Sequence, residues 1–499
     1  MRKISLIGLV MLIVSIPTFA GDYLTNTNQH ATYLRMVARG ASIDVDGVYY
    51  NPAGLAFLPK DGVQLSLTVQ SAFQKRMIDA TSSLWTMDGK NSTRNYEGKA
   101  SAPVIPSFHG VWKTGKWAVS GAFSITGGGG KASFDRGLPM FDAGAIGMVT
   151  AASKELSKGL FTLTPDMYNI NSAMEGRQYI FGAQLGLSRK INDNIAVYVG
   201  ARMNYFTGGY SGYLNLKMNE TTAAPKLSGL MEKVIIGQMM QQNGGKPLNE
   251  QQLAAAKAQA AAKTGEVIKT VDGVMQTKGI ELDCDQTGWG LTPILGVDVK
   301  FGKLNLAAKY EFKANMNIEN DTKKNSDPDG ALKDFKHGVN TPSDIPAFFS
   351  VAAGYEFLPC LRASVEYHFF DDKHAGMAGG KENYLKHGTH EYLAGVEWDI
   401  DKFMTVSGGF QKTNYGLSDE FQGDTSFSCD SYSLGFGARL NLTKALSVDV
   451  AYFWSKYSDY TKEQPRKDML ASMKLPVDGD QDVYSRTNKV FGVSVNYKF

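Results

Sequence analysis

The sequence predicts an all-β protein, a transmembrane antiparallel β-barrel of about 14 strands with helical extracellular loops, and three observations support this prediction. Apolar and polar residues alternate with a period of two in many segments. Short and long connections follow one another along the chain, and the last segment alternates up to an aromatic end, Phe499. These features are typical of a bacterial outer-membrane barrel, whose strands face lipid on one side and whose two rims carry tight turns and long loops.

The alternation places charged residues on the face opposite to the apolar one. In the first strand, residues 63–69 read Val-Gln-Leu-Ser-Leu-Thr-Val. In a membrane barrel the apolar set faces lipid and the polar set lines the lumen. The predicted lumen-facing residues are Arg202, Asn204, Lys309, Glu311, Arg362, Glu366, His368, Glu397, Arg439 and Asp449.

The connections indicate which rim is which. Tight turns predict the periplasmic rim, and long loops predict the extracellular rim. The short connections are residues 113–116, 192–194, 301–303, 358–360, 399–401 and 441–444. The long connections are residues 73–103, 127–176, 214–283, 318–343, 371–389, 414–428 and 455–485.

Composition excludes several other classes of protein. The 499 residues contain 52 Lys and Arg against 49 Asp and Glu, so the near-neutral charge does not predict a nucleic-acid partner. Glycine is abundant at 53 residues, and aromatic residues make up 11% of the chain. This balance is typical of many short strands rather than of a helical enzyme.

The N-terminus has the pattern of a secretory signal. Arg2 and Lys3 supply positive charge, residues 6–16 form an apolar run, and residues 18–20 match a cleavage site before Gly21. We therefore expect export to the outer membrane of a Gram-negative bacterium. The predicted parts are a signal peptide (1–20), an N-terminal hatch inside the lumen (21–60) and the barrel (61–499), whose largest extracellular loops are 127–176 and 214–283.

The predicted hatch contains a distinctive bend. Asn51, Pro52, Ala53 and Gly54 form a turn in which proline restricts its own φ and the residue before it, and glycine allows a close approach of the backbone. Residues 41–56, Ala-Ser-Ile-Asp-Val-Asp-Gly-Val-Tyr-Tyr-Asn-Pro-Ala-Gly-Leu-Ala, resemble the hatch of the FadL/TodX family of outer-membrane fatty-acid and aromatic-hydrocarbon transporters. Asn51, Pro52 and Ala53 match the family motif position by position.

The resemblance implies a function. A channel of this family takes up small hydrophobic molecules passively, and it releases them past the hatch and laterally into the membrane. Asn51, Pro52, Ala53 and Gly54 would then gate the lumen. The implied partners are the lipid bilayer, lipopolysaccharide and a hydrophobic ligand, and the terminal strand with Phe499 resembles the signal read by the barrel-assembly machinery. We expect a monomer without a cofactor or metal.

Three further sets of residues are candidates for a role in transport. The glycine run predicts a bend in the third strand, where the resembled family has a kink that opens the wall. In the predicted loop 214–283, a stripe of six apolar residues at helical spacing predicts either a groove that captures ligand or the contact between two loop helices. Three cations among the predicted lumen-facing residues could bind the acid head group of a ligand or form a lumen network with Glu311, Glu366 and Glu397. These sets are Gly127, Gly128, Gly129 and Gly130; Leu227, Leu230, Met231, Val234, Ile235 and Met239; and Arg202, Lys309 and Arg362.

Other functions are less well supported by the residues. A surface adhesin or structural barrel with ligand-binding loops is the main alternative to a transporter. No Ser, His and Asp arrangement predicts a hydrolase, so we do not expect an enzyme. Cys284, Cys360 and Cys429 lack the spacing of a metal site, and Cys284 with Cys429 is the candidate pair for a disulfide.

Overall fold

A computed structural model describes residues 26–156, 162–276 and 279–499. The predicted signal peptide and the first residues of the predicted hatch lie outside these ranges. Seventeen strand segments form one antiparallel sheet. They are β1 (Gly62–Thr81), β2 (Thr93–Thr114), β3 (Trp117–Phe134), β4 (Tyr168–Lys190), β5 (Ile195–Met218), β6 (Ile280–Phe301), β7 (Leu304–Glu311), β8 (Asn317–Asn325), β9 (Asn340–Pro342), β10 (Phe348–Leu358), β11 (Leu361–Phe370), β12 (Thr389–Asp399), β13 (Met404–Asn414), β14 (Ser431–Asn441), β15 (Leu446–Tyr457), β16 (Tyr460–Glu463) and β17 (Gln481–Lys498).

The sheet closes on itself. The first segment, β1, pairs with β2 on one side and with β17 on the other, from Gln64 opposite Lys498 to Thr81 opposite Gln481. Three short segments do not add strands of their own. β7 and β8 pair with successive parts of β6 and form one strand, and β9 and β10, which pair with β8 and β7 respectively, form the next. Likewise, β15 and β16 both pair with β17 and form one strand. The barrel therefore has 14 strands, which confirms the prediction.

The tight turns all lie at one rim, as the sequence predicts. Gly115 and Gly302 adopt φ values of 54° and 56°, which favour glycine. Other turns are closed by side chains, because the Asn192 Oδ1 atom accepts hydrogen bonds from the backbone N–H groups of Asn194 and Ile195 at 2.9 and 2.8 Å. Asp401 closes its turn in the same way.

The strands extend further toward the long-loop rim than the sequence predicts. The first long connection was expected to begin at residue 73, whereas β1 continues to Thr81. Beyond the apolar band most outward residues are polar, and Lys75 Nζ lies 3.2 Å from Glu97 Oε1 on the outside of the wall. The alternation of apolar and polar residues is lost there, although the backbone ladder continues.

The outer face of the barrel carries an apolar band. Leu67, Phe123 and Leu185 are large exposed apolar side chains, and Leu185 is 72% exposed. Trp112, Trp117 and Trp398 are exposed near the tight turns, where aromatic rings suit an interface between lipid and water. The last strand continues this band, with Phe491, Val493, Val495 and Tyr497 exposed.

Helices occur mainly in the long loops, as predicted. Among the described helices, none combines the length and the apolar character needed to cross a bilayer. A short helix, α1, lies in the hatch instead. The helices are α1 (Ala31–Arg35), α2 (Pro139–Leu156), α3 (Glu220–Gln242), α4 (Glu250–Gln276) and α5 (Lys467–Met473).

Candidate functional site

The hatch, described from residue 26 to residue 60, lies inside the barrel. Helix α1 contacts β14, β15 and β17, and the 3₁₀ helix Ala53–Phe57 contacts β4, β5 and β6 on the other side of the lumen. Most hatch residues between Gln29 and Leu58 are buried. The segment therefore fills the lumen at the tight-turn end, where it meets strands on all sides.

The Asn-Pro-Ala-Gly bend is held by the wall. The Asn51 Nδ2 atom donates to Asp298 Oδ2 on β6 at 2.5 Å and to the Ser42 carbonyl at 3.2 Å. A Cβ atom on Gly54 would clash with Asn51 Nδ2, so only glycine fits there without a shift. The Pro52 carbonyl accepts a hydrogen bond from Ser188 Oγ at 2.6 Å.

Two arginines on and after α1 anchor the hatch through buried ion pairs. Arg35 contacts Glu397 at 2.8 Å and Asp449 at 2.9 Å on the wall. Arg39 pairs with Asp46 within the hatch at 2.7 Å and with Glu397 at 3.4 Å. All of these side chains are almost fully buried. These arginines were not among the predicted site residues, although they precede the bend at helical spacing.

A further ion pair runs in the opposite direction, from an arginine of the wall to a carboxylate of the hatch. Arg439 on β14 donates to Asp44, and it also contacts Asp449 Oδ1 at 2.9 Å. Burial alone would raise the pKa of Asp44, but the charges of Arg439 and Lys498 hold it well below its usual range. Asp44 therefore stays ionised at neutral pH.

The predicted head-group cations lie beside the hatch. Arg202 Nη1 lies 2.7 Å from Glu311 Oε2, and Lys309 Nζ lies 2.8 Å from Glu311 Oε1. Lys309 also donates to the Tyr49 carbonyl at 2.7 Å. In this arrangement both cations belong to a network that joins the wall to the hatch.

The third predicted cation, Arg362, lies nearer the tight turns. Its guanidinium contacts Glu397 at 2.9 Å and Asp399 at 2.8 Å. Each of the three cations thus has a carboxylate partner, and their role toward a ligand stays a prediction.

Above the hatch, toward the long loops, lies a cavity of about 300 Å³. Its walls combine hydroxyl, amide and charged groups with apolar patches, and strands from both halves of the barrel contribute to it. Hatch residues 26–28 form part of its floor. Representative lining residues are Asn28, Tyr33, Arg76, Ile125, Gly129, Gln178, Glu391, Ser433, Phe453 and Arg486.

The wall is interrupted beside this cavity. Between β2 and β3, Ser101 pairs with Lys131 and Phe108 pairs with Phe123, and no pairing joins β3 to the intervening, fully described residues 102–107. Pro103 and Pro106 lie in this part of β2 and have no backbone N–H to donate. These prolines are a signal on β2 that sequence reasoning missed.

The glycine run for which a bend was predicted forms the other edge of the interruption. The register between β3 and β4 shifts between Ile125 and Gly127 and again between Gly127 and Gly130. Gly128 has φ 94°, and a Cβ atom there would clash with the Gln178 carbonyl oxygen. The ladder is therefore broken on β2 and irregular on β3 at the same height.

The first described hatch residues bind both edges of the interruption. Asn26 donates from its backbone to the Thr126 carbonyl at 2.8 Å and from its side chain to the Gly128 carbonyl at 3.1 Å. Gln29 Nε2 donates to the Ile125 carbonyl at 3.0 Å, and the Gln29 carbonyl accepts from Ser107 Oγ on β2 at 2.5 Å. The hatch thus satisfies backbone groups that the strand pairing leaves open.

The similarity of this chain to known proteins lies in its structure. No protein-family profile matches the sequence, and no curated protein sequence matches it. Among solved structures, a FadL homologue of Pseudomonas aeruginosa superposes with a TM-score of 0.59 at 15% identity, over 96% of this chain and 100% of that one.

The chain has the FadL-type fold. Two further structures agree with this assignment. The toluene transporter TodX of P. putida has a TM-score of 0.51 at 11% identity, over 91% of this chain and 94% of that one. The monoaromatic hydrocarbon channel CymD has a TM-score of 0.50 at 11% identity, over 94% and 97%. These structural neighbours are transport channels or a homologue of one, and none of the three is an enzyme.

Within this FadL-type fold, the predicted capture stripe lies in the α3–α4 hairpin. Leu227, Met231 and Ile235 are buried, and Met231 and Ile235 pack against Ala256 and Ala260 of α4. Leu230, Val234 and Met239 are partly exposed. Half of the stripe therefore forms the contact between the two helices, and a capture role for the stripe stays a prediction.

The cysteines and the metal-binding side chains have no special arrangement in the described ranges. Cys284, Cys360 and Cys429 are all thiols, so the candidate bridge between Cys284 and Cys429 does not form. The two lie apart, because Cys284 contacts Thr322 on β8 and Cys429 contacts the Tyr484 carbonyl on β17. Residues 26–156, 162–276 and 279–499 contain no cluster of His, Cys, Asp and Glu that would hold a metal ion.

Proposed function

We propose that this protein is an outer-membrane channel for the passive uptake of small hydrophobic molecules that are fatty-acid-like or aromatic. The observation that supports it most strongly is the combination of a blocked lumen and an interrupted wall. The hatch fills the tight-turn end, whereas the cavity lies directly above it and borders the interruption between β2 and β3. A ligand in the cavity would then leave sideways rather than along the barrel axis.

The physical reason for a lateral exit is the nature of the cargo. An apolar molecule gains free energy on transfer from water into hydrocarbon, so the bilayer next to the wall is a better destination than the aqueous side. Val104 and Phe123, beside the interruption, belong to the exposed apolar band, so a ligand leaving there would enter lipid. Apolar residues of the long loops would capture the ligand at the opposite rim, where lipopolysaccharide surrounds the barrel. No energy source is needed, since the flux follows the concentration gradient.

The hatch is positioned to control this exit. Because Asn26 and Gln29 bind the carbonyl groups of β3, and Ser107 of β2 binds Gln29, a movement of residues 26–29 would release both edges together. Asn51, Pro52, Ala53 and Gly54 would hold the rest of the hatch fixed through Asp298 and Ser188. Gating therefore needs a local change at the start of the hatch and not the loss of the whole plug.

A reversible crosslink tests this function. Gln29→Cys with Ser107→Cys is the pair to join by oxidation, because Ser107 Oγ lies 2.5 Å from the Gln29 backbone carbonyl and the two residues are therefore direct neighbours; formation of the disulfide is measured first by loss of free thiols. Uptake of radiolabelled oleate or toluene into cells should fall on oxidation and return on reduction. The single-cysteine variants are the matched controls. Unchanged uptake by the fully oxidised double variant would contradict gated release at this site.

A second measurement separates transport from adhesion, the alternative function. The helical hairpin α3–α4 projects from the long-loop rim and contacts the wall mainly through β5. Removal of residues 220–276, replaced by a short glycine and serine linker, should reduce capture but leave the hatch and cavity in place. If the deletion abolishes binding to neighbouring cells and leaves uptake unaffected, the loops serve adhesion instead.

A further inference from the structure

Three lysines form a patch on the outer wall, just beyond the apolar band on the long-loop side. On β13, β15 and β17, the outward residue that follows the last outward aromatic residue is a lysine in each case. The successive pairs are Phe410 and Lys412, Trp454 and Lys456, and Phe491 and Lys489. All three lysines of this lysine patch are exposed. Because the apolar band suits the hydrocarbon of a membrane, the patch lies where lipid head groups begin.

The register of the sheet brings the three lysines together. Lys412 and Lys456 both pair with Tyr432 of β14, one from each side, so about two strand spacings or roughly 10 Å separate them. Lys489 pairs with Trp454 of β15 and therefore lies diagonally across from Lys456, at about 7–8 Å. Paired residues of antiparallel strands point to the same side of the sheet, so all three ammonium groups face outward.

Two aromatic rings lie among these lysines. The Tyr432 and Trp454 rings meet edge to face, with their centroids 6.1 Å apart and an angle of 80° between their planes. Rings with one polar edge suit the boundary between hydrocarbon and head groups. Toward the tight turns, Phe436 and Phe491 are 57% and 52% exposed. The same part of the wall therefore offers apolar contacts for acyl chains and positive charges at the level of the head groups.

No acidic side chain accompanies the lysine patch on this part of the wall. None of the outward residues of β13, β14, β15 and β17 is Asp or Glu. Asp430 and Asp459, which are close in the sequence, lie in the loops beyond these strands. Within residues 26–156, 162–276 and 279–499, the side chains of Lys412, Lys456 and Lys489 make no ion pair. The described part of the protein therefore leaves the positive charge of the patch uncompensated.

Exposed lysines elsewhere on the outer wall are paired with carboxylates. On β3 and β8, each of three such lysines has its Nζ atom within ion-pair distance of a carboxylate oxygen. The pairs are Lys131 with Glu175 at 2.8 Å, Lys323 with Asp285 at 2.5 Å and Lys324 with Glu281 at 2.6 Å. The lysine patch thus differs from that side of the wall in lacking counter-charges, and charge complementarity points to an anion from outside the protein.

We propose that the lysine patch binds the phosphate groups of one lipopolysaccharide molecule, whose acyl chains lie against the apolar band. Ammonium groups donate charge-assisted hydrogen bonds to phosphate, and basic residues near an anionic lipid surface strengthen binding to it. A phosphate monoester carries up to two negative charges, so three clustered lysines favour it over the single charge of a phospholipid phosphodiester. The inference goes beyond the proposed function, since it depends on the long-loop rim facing the outer leaflet and not on transport.

Native mass spectrometry of the full chain in nonionic detergent, titrated with defined lipids, tests the inference. The probes are lipid A with two phosphate groups, lipid A with one phosphate group, and dioleoyl phosphatidylglycerol. For the triple variant Lys412→Gln, Lys456→Gln, Lys489→Gln, we expect the affinity for the bisphosphorylated lipid A to fall about tenfold or more. The wild type should bind the other two probes more weakly, and its affinity for lipid A should fall as the salt concentration rises.

Two further variants keep the result unambiguous. The triple variant Lys131→Gln, Lys323→Gln, Lys324→Gln removes the same number of exposed lysines, but these already have carboxylate partners, so it should bind lipid A as the wild type does. Replacing the three lysines of the patch by arginine keeps the charge and should keep the affinity. Retained affinity in the arginine variant would show that the loss in the glutamine variant comes from the missing charge and not from misfolding.

Several outcomes would overturn the inference. Equal lipid A affinity in the wild type and the glutamine variant of the patch removes the site. An equal loss in the Lys131, Lys323 and Lys324 variant shows a response to net charge alone, and an equal loss in the arginine variant assigns the lysines a structural role. Equal wild-type affinity for phosphatidylglycerol and lipid A makes the patch a site for anionic phospholipids in general.

Failure of the proposed function gives a different result. Uptake of oleate and toluene by cells is measured separately from lipid binding. A wild type that binds lipid A through the lysine patch but takes up neither compound contradicts the transport function and leaves this inference in place.

Discussion

The two halves of the lumen are built from different interactions. At the tight-turn end, buried ion pairs join Arg35 and Arg439 to Asp449, and the hatch occupies the space. At the long-loop end, hydroxyl and amide groups surround a cavity, and the wall beside it lacks part of its ladder. The comparison indicates that buried ion pairs tie one half of the barrel to the hatch, while the other half contains a cavity beside an interrupted wall.

The largest effect is expected from breaking the ion pairs at the tight-turn end of the lumen. Asp449→Asn removes the charge that both Arg35 and Arg439 contact, and it leaves buried guanidinium groups less well compensated. We expect the docking of the hatch to weaken by about 3–5 kcal/mol. This weaker docking would be seen as faster hydrogen exchange in residues 30–50 and as new ion conductance in planar bilayers.

The matched control for this change is Asp193→Asn, in a tight turn where the carboxylate is exposed and pairs with Lys190. It should change neither measurement, because an exposed ion pair contributes little. Exchange rates of the hatch that stay the same in Asp449→Asn would contradict the division between the two halves.

A smaller effect is expected at the bend of the hatch. Asn51→Ala removes the 2.5 Å hydrogen bond to the buried carboxylate of Asp298, which then keeps the bond from Asn305 at 2.9 Å. We expect a local loss of about 1–3 kcal/mol, seen as faster hydrogen exchange of residues 45–57. Asn243→Ala, in the loop after α3, is the control and should leave that exchange unchanged.

The role of the long-loop end can be tested by filling the interruption in its wall. Gly129 does not have a positive φ, and a Cβ atom there would meet Arg76 Nη2 at 3.6 Å, an ordinary contact distance, so a larger residue is compatible with the backbone. We expect Gly129→Leu to reduce uptake several-fold by occupying the interruption, with no loss of stability. Gly408→Leu on β13 adds the same side chain elsewhere on the wall, and uptake equal in the two variants would exclude this exit.

The smallest effect is expected in a loop beside the cavity at the long-loop end. Burial raises the pKa of Asp372 to about 7, and the nearby charge of Asp371 adds to this shift. A carboxyl group whose pKa is higher in the folded state than its ordinary value of 3.8 binds its proton more tightly when folded. The loop, residues 371–388, should therefore be most stable below about pH 4 and lose stability as the pH rises toward 7.

Hydrogen exchange of this loop across that pH range measures the effect. Asp372→Asn should abolish the pH dependence. His374→Gln should keep it, since His374 is exposed and pairs with Asp371 at 2.6 Å. Equal pH profiles for Asp372→Asn and the wild type would assign the dependence to another group.

Much of the architecture could be predicted because it depends on local patterns. Alternation from Val63 to Val69 determines which side chains face lipid, and residues such as Asn192 and Asp401 close turns with their own side chains. The Asn51 bend could also be placed in the lumen, through the resemblance of the residues around it. These features need only neighbours in the sequence.

The rest depends on which strands become neighbours. Arg76 and Arg486 are separated by almost the whole barrel in sequence, and only the register of β1 with β17 brings them together. The partner of Asn51, Asp298, is likewise distant in the chain. Pro103 and Pro106 were an available signal for the interruption, because proline cannot donate to a ladder.

The pairing of β1 with β17 has a consequence for biogenesis. The hatch precedes β1 in the chain, yet Ala31 donates from its backbone to Ser494 Oγ on β17 at 3.2 Å, and Arg35 contacts β15. These acceptors are synthesised last, so the earliest part of the described chain must wait for the latest before it docks. Closure of the barrel and docking of the hatch are therefore coupled steps of biogenesis. A mutation that impairs one of these steps is expected to slow the other as well.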